Sequence, residues 1–316
     1  MTTDHTSDPA LLLPTTSRLR RSRRLWRIMT FVALAVAVLA LAARFGLDQG
    51  GVGDRIARVE IDGTITTDAG RLAALEEIGD NAAVKAVIVA INSPGGTTAG
   101  GEELYEALGA LRAKKPVVAV IKELGASAAY MTAIASDRIY SRRLSIVGSI
   151  GVLFQTVNAG KFMQTIGVDL DKVASGPLKA EPDIDEPMSP EVRASIAALV
   201  NDSFNWFVDI VAERRGLDRN TTLALADGRI ITGRQGLDAQ LIDAIGGEAE
   251  AQDWLEAEKG VAADLPVVTY YPLPDEGLPG IWKLLSGQVR GALGLSPGGA
   301  IALDGLVSLW QVGPSL

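Results

Sequence analysis

Pro116-Val-Val-Ala-Val-Ile121 is followed closely by the small-residue block Gly125-Ala126-Ser127-Ala128-Ala129-Tyr130. A continuous apolar run of this length is typical of a strand buried on both faces. The small residues after it predict a tight turn into a helix, with Ser127 at the turn. That helix would direct its backbone N–H groups and the positive end of its dipole at the serine hydroxyl. Ser127 is therefore a candidate nucleophile.

Strand and helix patterns alternate on both sides of this block. The sequence predicts helices and strands up to about residue 154, and a longer helix that begins at the N-cap Ser189 and ends at Gly216. Asp62-Gly63 is predicted as a turn after the first strand. The alternation predicts βαβ units and a mainly parallel sheet or spiral, which is an α/β fold. The predicted strands are Arg55–Ile61, Lys85–Ile91, Pro116–Ile121, Arg138–Tyr140 and Gly148–Phe154, and the predicted helices among them are Arg71–Ile78, Ala99–Ala113 and Ser127–Ala135.

The composition restricts how Ser127 could be activated. The chain of 316 residues contains no cysteine and one histidine, His5, which lies in a polar tail. A Ser-His-Asp triad, a cysteine nucleophile and a His/Cys zinc site are therefore excluded from the folded part, and we expect no metal and no cofactor. The base must be a lysine or a carboxylate. Our hypothesis is that Lys179, in Ser175-Gly176-Pro177-Leu178-Lys179, is the general base.

Lys179 could also be an ordinary exposed lysine. A base must be neutral, whereas a free lysine has a pKa of about 10.4. Burial among Pro177, Leu178 and Ala180 would lower such a pKa, and the acidic residues between 181 and 186 would raise it if they faced inward. The sequence leaves the direction of these side chains open.

Asn92-Ser93-Pro94-Gly95-Gly96 stands at the end of a predicted buried strand. Paired glycines allow the backbone to approach a ligand and to aim N–H groups at it, as an oxyanion hole requires. Phosphate binding is less favoured, because no Lys-Ser/Thr follows the glycines.

The N-terminal residues indicate a membrane anchor. We predict a cytoplasmic basic tail over 1–24 and a transmembrane signal-anchor over 25–45, because Ile28–Ala43 is uncharged and six arginines lie within the first 27 residues. The alternative is a cleaved signal peptide with Ala40-Leu41-Ala42 at the cleavage site. Residues 28–316 carry a net charge of −12, which disfavours nucleic acid.

The rest of the chain divides into a catalytic domain and a tail. We predict a domain over 55–270 and a tail rich in Pro and Gly over 271–316. The tail contains two short apolar stretches, Ile281–Leu285 and Ile301–Trp310. Either stretch would pack on a partner subunit or lie on the membrane surface.

Six motifs in register resemble the signal peptide peptidase A (SppA) family, in its short single-domain form, within the Clp protease/crotonase superfamily. The resemblance runs from Arg55 to Ala249. The motifs are Asn-Ser-Pro-Gly-Gly at 92–96, Gly-Ala-Ser-Ala-Ala-Tyr at 125–130, Gly-Ser-Ile-Gly-Val at 148–152, Ser-Gly-x-x-Lys at 175–179, Ala-Asp-Gly-Arg-x-x-x-Gly at 226–233 and Leu-Ile-Asp-x-x-Gly at 241–246.

The resemblance implies a Clp protease/crotonase-like spiral and a role for each matching residue. Ser127 would be acylated and Lys179 would be the base, while Ser149 would hold the lysine amine in place. Gly96 and Ala128 would supply the two N–H groups of the oxyanion hole. The chain departs from many members of the family in having Ala128-Ala129 where they have Gly-Gly.

The same resemblance implies a function. The protein would be a membrane-anchored Ser-Lys endopeptidase that forms ring- or dome-like homo-oligomers. It would degrade remnant signal peptides or other small apolar peptides at the inner (cytoplasmic) membrane, with its catalytic domain on the extracytoplasmic (periplasmic) side. Two alternatives are a catalytically silent membrane scaffold that binds partners, and a crotonase-like acyl-CoA enzyme.

Overall fold

The computed structural model describes residues 26–37 and 53–272, together with the backbone of 306–309. The chain forms two units, 1–53 and 54–316. The described part of the first unit is a helix, α1, over 26–37, whose apolar side chains such as Trp26 and Phe31 are exposed. Within the described ranges, no helix combines the length and apolarity needed to cross a membrane. The other residues of the predicted tail and anchor, 1–25 and 38–45, lie outside the described residues.

The second unit alternates strands and helices, as predicted. Its strands are β1 Arg55–Ile65, β2 Val84–Thr97, β3 Val117–Ala126, β4 Arg138–Ser141, β5 Ile146–Gly148, β6 Leu153–Phe154, β7 Ile230–Thr232, β8 Ala244–Ile245, β9 Val267–Tyr271 and β10 Leu306–Leu309. Its helices are α2 Ala69–Asp80, α3 Thr98–Arg112, α4 Ala128–Ile134, α5 Gly160–Thr165, α6 Pro190–Arg215, α7 Arg219–Leu225, α8 Gly233–Asp238 and α9 Glu248–Lys259.

The described strands form one mixed sheet. β2 lies between β1 and β3, and β4 and β8 continue the sheet beyond β3, all of them parallel. β9 joins β1 and β5 joins β3 in parallel, whereas β7 runs antiparallel to β5. β10 is antiparallel to both β2 and β6. The prediction of an α/β fold with a mainly parallel sheet is confirmed.

The centre of the sheet is buried on both faces. Every residue from Ala86 to Ile91 in β2 is fully buried. Val87, Val89 and Ile91 face a core that includes Leu104 of α3 and Phe207 of α6, and Ile88 faces a second cluster that includes Leu255 of α9. Cover on both faces explains why this strand appears in the sequence as a continuous apolar run.

Several boundaries differ from the sequence prediction, among them the end of β3, which was predicted at Ile121 and lies at Ala126. The predicted turn at Asp62-Gly63 is a bulge inside β1, where Gly63 has φ 71° and the register with β2 shifts. β2 continues beyond Ile91 to Thr97. The single strand predicted over Gly148–Phe154 is two strands, β5 and β6, because positive φ values at Gly148 and Ser149 interrupt the extended backbone.

The long helix α6 begins and ends as predicted. The Ser189 hydroxyl accepts the Val192 N–H at 3.2 Å, Pro190 occupies the first turn, and Gly216 closes the helix in the left-handed conformation. Trp206 packs edge-on against Tyr105 of α3, with ring centroids 5.8 Å apart. α6 thereby packs against α3, the helix that follows the glycine loop of β2.

Candidate active site

Three of the sequence motifs meet at the carboxyl ends of neighbouring parallel strands. Ser93 near the end of β2 pairs with Gly125 of β3, and Ala126 of β3 pairs with Gly148 of β5. The glycine pair 95–96, the serine turn and the 148–152 motif therefore lie side by side. Ligands of open α/β sheets bind at this edge.

Ser127 adopts an unusual backbone conformation at this edge. Its φ of 59° and ψ of −121° match the first central position of a type II′ turn, where glycine is usual. The residue is 1% exposed, and its N–H donates to the Gly148 carbonyl at 2.9 Å. Its side chain forms no capping hydrogen bond to α4, which begins at the next residue. A sharp strand-to-helix turn with positive φ is the geometry of a nucleophile elbow.

Close packing under the turn holds α4 in place. A Cβ on Gly101 of α3 would lie 2.8 Å from the Met131 sulfur and 3.0 Å from the Ala128 Cβ, so only glycine allows this approach of α3 to α4. Tyr130 of α4 is fully buried and its hydroxyl donates to the Leu241 carbonyl at 2.7 Å. Burial raises the pKa of the Tyr130 hydroxyl.

The glycine pair forms a tight loop at the end of β2. The buried Ser93 hydroxyl accepts the Gly95 N–H at 3.1 Å, and Thr97 caps α3 by accepting the Gly100 N–H at 3.0 Å. A Cβ on Gly96 would lie 1.7 Å from the Ile65 carbonyl oxygen. Only glycine therefore fits at position 96. The hydrogen bond by which Ser93 shapes this loop was not predicted from the sequence. The position of Ser93 within the 92–96 motif could have indicated it.

Ser149 lies next to the serine turn. It is 8% exposed, it has φ 49°, and its N–H donates to the Arg229 carbonyl at 2.8 Å. The preceding Gly148 accepts the Ser127 N–H, so the 125–130, 148–152 and 226–233 motifs are connected by backbone hydrogen bonds.

Two of the five described non-glycine residues with positive φ belong to the predicted site. Among the described residues, the non-glycine positions with positive φ are Ser127, Ser149, Ala180, Gln240 and Asp264. The first two are predicted site residues and Ala180 follows Lys179. Each such conformation costs on the order of 1–3 kcal/mol and is typical of functional sites.

Lys179 lies in the segment between β6 and α6, and its side chain is exposed. In the part of the chain that the structure describes, this side chain forms no hydrogen bond or ion pair, so no such contact joins it to Ser127. Leu178 is 43% exposed, and Pro177 and Ala180 are exposed as well. The apolar neighbours of Lys179 were expected to bury its side chain, and within one chain they do not. The structure brings Gly96, Ser127, Ala128 and Ser149 together, and among the described residues no hydrogen bond joins the Lys179 side chain to them.

The acidic residues after Lys179 are paired with another lysine. The Lys172 ammonium contacts Glu181 at 2.7 Å, Glu186 at 3.6 Å and also Asp183. These three carboxylates lie within 4.8 Å of one another, as metal ligands would, and an ammonium already pairs with each. These contacts raise the pKa of Lys172. This role of Lys172 was not predicted from the sequence, because the pairing depends on the path of the loop between residues 172 and 181.

Strand β10 lies beside the glycine loop. Val307, Ser308 and Leu309 pair with Thr97, Gly96 and Gly95 respectively. Leu306 and Val307 pair on the other side with Phe154 and Leu153. The stretch 301–310 was expected to pack on a partner subunit or to lie on the membrane surface, whereas its residues 306–309 pair within the sheet.

A cavity of about 300 Å³ opens on the α4 side of the site. It is lined by Met131, one turn along α4 from Ser127, by Trp206 of α6, and by two carboxylates, Glu102 and Asp202.

Comparisons with known proteins assign the chain to a family. The family model described as peptidase family S49 matches residues 109–262. The chain is 34% identical over 212 residues to "Putative protease slr0021" of Synechocystis sp., covering 66% of this chain and 76% of the relative. It is 30% identical over 239 residues to "Putative signal peptide peptidase SppA" of Enterococcus faecium, covering 71% and 69%. A solved structure of a ClpP1 mutant from Listeria monocytogenes aligns with a TM-score of 0.41 at 16% identity, covering 60% of this chain and 91% of that chain.

Proposed function

The chain belongs to peptidase family S49 and is a serine peptidase, and from this premise we propose that Ser127 is its nucleophile and Lys179 its general base. The observation that carries the proposal is the conformation of Ser127. This serine occupies a strained turn at the N-terminus of α4, between the glycine loop of β2 and the Ser149 turn. With one histidine and no cysteine in the chain, a lysine is the base that suits such a serine.

In the proposed reaction, the neutral Lys179 amine takes the proton from the Ser127 hydroxyl as its Oγ attacks the scissile carbonyl carbon. The N–H groups of Gly96 and Ala128 donate hydrogen bonds to the oxyanion. The Lys179 ammonium then gives its proton to the leaving amine, and an acyl-enzyme forms. Water, activated by the same amine, releases the acyl group and regenerates the serine. The Ser149 hydroxyl orients the lysine amine.

We propose that this site is completed in a homo-oligomer of ring or dome form. The segment between β6 and α6, which carries Lys179, exposes several large apolar side chains. Such a surface marks a contact with another molecule. A second copy that covers this segment would also remove Lys179 from water, as a neutral amine requires. The exposed apolar residues are Val157, Phe162, Ile166, Val168, Leu170, Val173, Leu178 and Ile184.

The location and substrates are also proposals. The arginine cluster before the uncharged run Ile28–Ala43 supports a single-pass anchor in the inner (cytoplasmic) membrane, with the N-terminus in the cytoplasm and the catalytic domain on the extracytoplasmic (periplasmic) side. Remnant signal peptides and other small apolar peptides are substrates that suit this place. The family membership and the parallel βαβ units support a Clp protease/crotonase-like spiral as the finer fold.

The test is covalent labelling with a fluorophosphonate probe, measured by intact mass on the full-length protein in detergent. The variants are Ser127→Ala, Lys179→Ala and, as a matched lysine control, Lys114→Ala, which removes an exposed lysine that pairs with Asp80 at 2.8 Å. We expect labelling of the unaltered protein and of the control only, at a rate that rises with pH toward neutrality.

Two results would overturn the assignments. Labelling of Ser127→Ala at the unaltered rate would exclude Ser127 as the nucleophile. Unchanged labelling of Lys179→Ala across pH would exclude Lys179 as the base, and the serine would need another activating group.

A further inference from the structure

Arg71, in the first turn of α2, is a buried cation that the proposed reaction does not use. Its side chain is 6% exposed, and one of its terminal nitrogens donates to the Thr66 carbonyl at 2.6 Å. The same nitrogen lies 3.5 Å from the Glu103 carboxylate of α3, and no described residue accepts a hydrogen bond from the buried Nε. A buried ion pair that is long and incompletely hydrogen-bonded contributes little to stability. The position of Arg71 therefore needs another explanation.

The carbonyl that Arg71 holds belongs to the segment behind the glycine loop. Ile65, at the end of β1, pairs with Gly96, and the Ile65 carbonyl oxygen is the atom that a Cβ on Gly96 would meet at 1.7 Å. Thr66 is the next residue. Because no free space separates the two backbones, a shift of residues 65–66 would be passed on to Gly96.

The first turn of α3 packs against the same segment. A Cβ on Gly100 would lie 2.7 Å from the Thr66 carbonyl carbon, so only glycine allows this approach. Glu103, one turn further along α3, accepts the Asp68 backbone N–H at 3.0 Å. The helix that begins directly after the glycine loop is thereby joined to the segment that supports the loop.

Asp68 connects this segment to α2 and to β9. Its carboxylate caps α2 by accepting the Arg71 backbone N–H at 3.0 Å, and it also accepts the Tyr271 hydroxyl. The Arg71 side chain reaches back across this turn to Thr66. Among the described side chains, that of Arg71 is the one that donates to the Thr66 carbonyl, so its loss would release the backbone beside Ile65.

We propose that Arg71 is a positioning residue of this peptidase, which holds the Thr66 carbonyl and thereby fixes the backbone that aims the Gly96 N–H at the oxyanion. The effect on catalysis rests on the proposed function, whereas the effect on the position of the loop does not. Oxyanion stabilisation depends on donors that are in place before the charge develops, and a displacement of about 1 Å costs about 10²-fold in rate.

The first experiment measures cleavage of a fluorogenic apolar peptide by full-length Arg71→Met, with active sites counted by fluorophosphonate titration run to completion. Methionine keeps the apolar stem and donates no hydrogen bond. We expect kcat per titrated site to fall about 10- to 100-fold with KM nearly unchanged, because the oxyanion charge develops only as the carbonyl is attacked. Arg71→Lys keeps the charge and one donor, so its kcat should lie between those of the unaltered protein and Arg71→Met.

Arg58→Met is the matched control. Arg58 of β1 also pairs with a glutamate of a helix, Glu248 of α9, and its buried Nε likewise has no partner among the described residues. Its register partner in β2 is Ile88, which precedes the glycine loop. We expect this variant to keep its kcat per titrated site.

The second experiment follows the loop itself and needs no catalysis. Hydrogen–deuterium exchange is measured by mass spectrometry on Ser127→Ala with and without Arg71→Met. We expect faster exchange in peptides that cover 64–68 and 93–100 when Arg71 is replaced, and no such change when Arg58→Met is introduced instead.

The readings separate a positioning role from a role in stability alone and from the proposed nucleophile. An unchanged kcat per site in Arg71→Met, or an equal fall in Arg58→Met, would overturn the positioning role, and so would unchanged exchange in the loop. If Arg71→Met does not fold, a partial fall in kcat for Arg71→Lys that is absent from Arg58→Lys decides in the same way. Labelling of Ser127→Ala at the unaltered rate would instead refute the nucleophile, and the exchange measurement would still report on the support of the loop.

Discussion

Gly96→Ala tests the oxyanion loop most directly. The added Cβ would lie 1.7 Å from the Ile65 carbonyl oxygen, and real Cβ contacts begin at 3.0 Å, so the loop must move by about 1.3 Å. A misplacement of about 1 Å in a catalytic group costs about 10²-fold in rate, and loss of one oxyanion donor costs about 10²–10³-fold. We therefore expect kcat/KM to fall by about 10²–10³-fold, because the substitution would displace the Gly96 N–H, the proposed oxyanion donor.

The assay is cleavage of a fluorogenic apolar peptide, with Gly109→Ala as the matched control. A Cβ on Gly109 of α3 meets nothing within 4 Å, and alanine in a helix interior is favoured over glycine by about 0.5–1 kcal/mol. We expect the control to keep its activity and to melt slightly higher. Circular dichroism must show that Gly96→Ala remains folded at the assay temperature. Full activity in folded Gly96→Ala would refute the oxyanion role of this loop.

Two further predictions concern stability and its pH dependence. Tyr130→Phe should cost about 1–3 kcal/mol in urea unfolding, because the buried Leu241 carbonyl loses its donor; no loss would contradict that pairing. The Tyr271 hydroxyl donates to Asp68 and holds the Asp68 pKa below its usual value. The resulting stability is present above the usual carboxyl pKa and is lost as pH falls through the lowered one, so the deficit of Tyr271→Phe should be full at pH 7 and fade in acid. A deficit that persists in strong acid would contradict this.

Local patterns in the sequence predicted most of the fold correctly. The uninterrupted apolar run of β2 and the capping residues of α6 depend on burial and on nearby backbone groups, so they can be read from a few adjacent residues. The bulge at Gly63 could not be read in this way. A glycine with positive φ is equally compatible with a turn and with a bulge, and only the pairing of β1 with β2 distinguishes them.

The parts of the candidate site that are formed by glycine and serine turns could be predicted from the sequence. Gly96, Ser127 and Ser149 occupy strand ends, and the order of the strands places them together. The partners of the acidic run could not be read from the sequence, because Lys172 reaches those residues only through the path of the intervening loop. β10 and Gly96 pair although more than two hundred residues separate them in the sequence. No local sequence pattern predicts a pairing between residues so far apart.

The proposed nucleophile and the proposed base lie in parts of the structure with opposite degrees of packing. Ser127 stands at the N-terminus of α4, whose residues are all buried, so its strained turn is held by the core. Lys179 lies on a segment that exposes large apolar side chains. Its own side chain forms no ion pair or hydrogen bond with any described residue. A strained conformation persists only where the surroundings hold it, and a neutral amine persists only where water is excluded. The described part of one chain meets the first condition by itself, and for Lys179, the proposed base, the second condition would require a cover over the segment. We therefore expect activity to depend on assembly, because the strained serine turn folds with the core, whereas the proposed base lies on a segment that a contact with another molecule would have to cover.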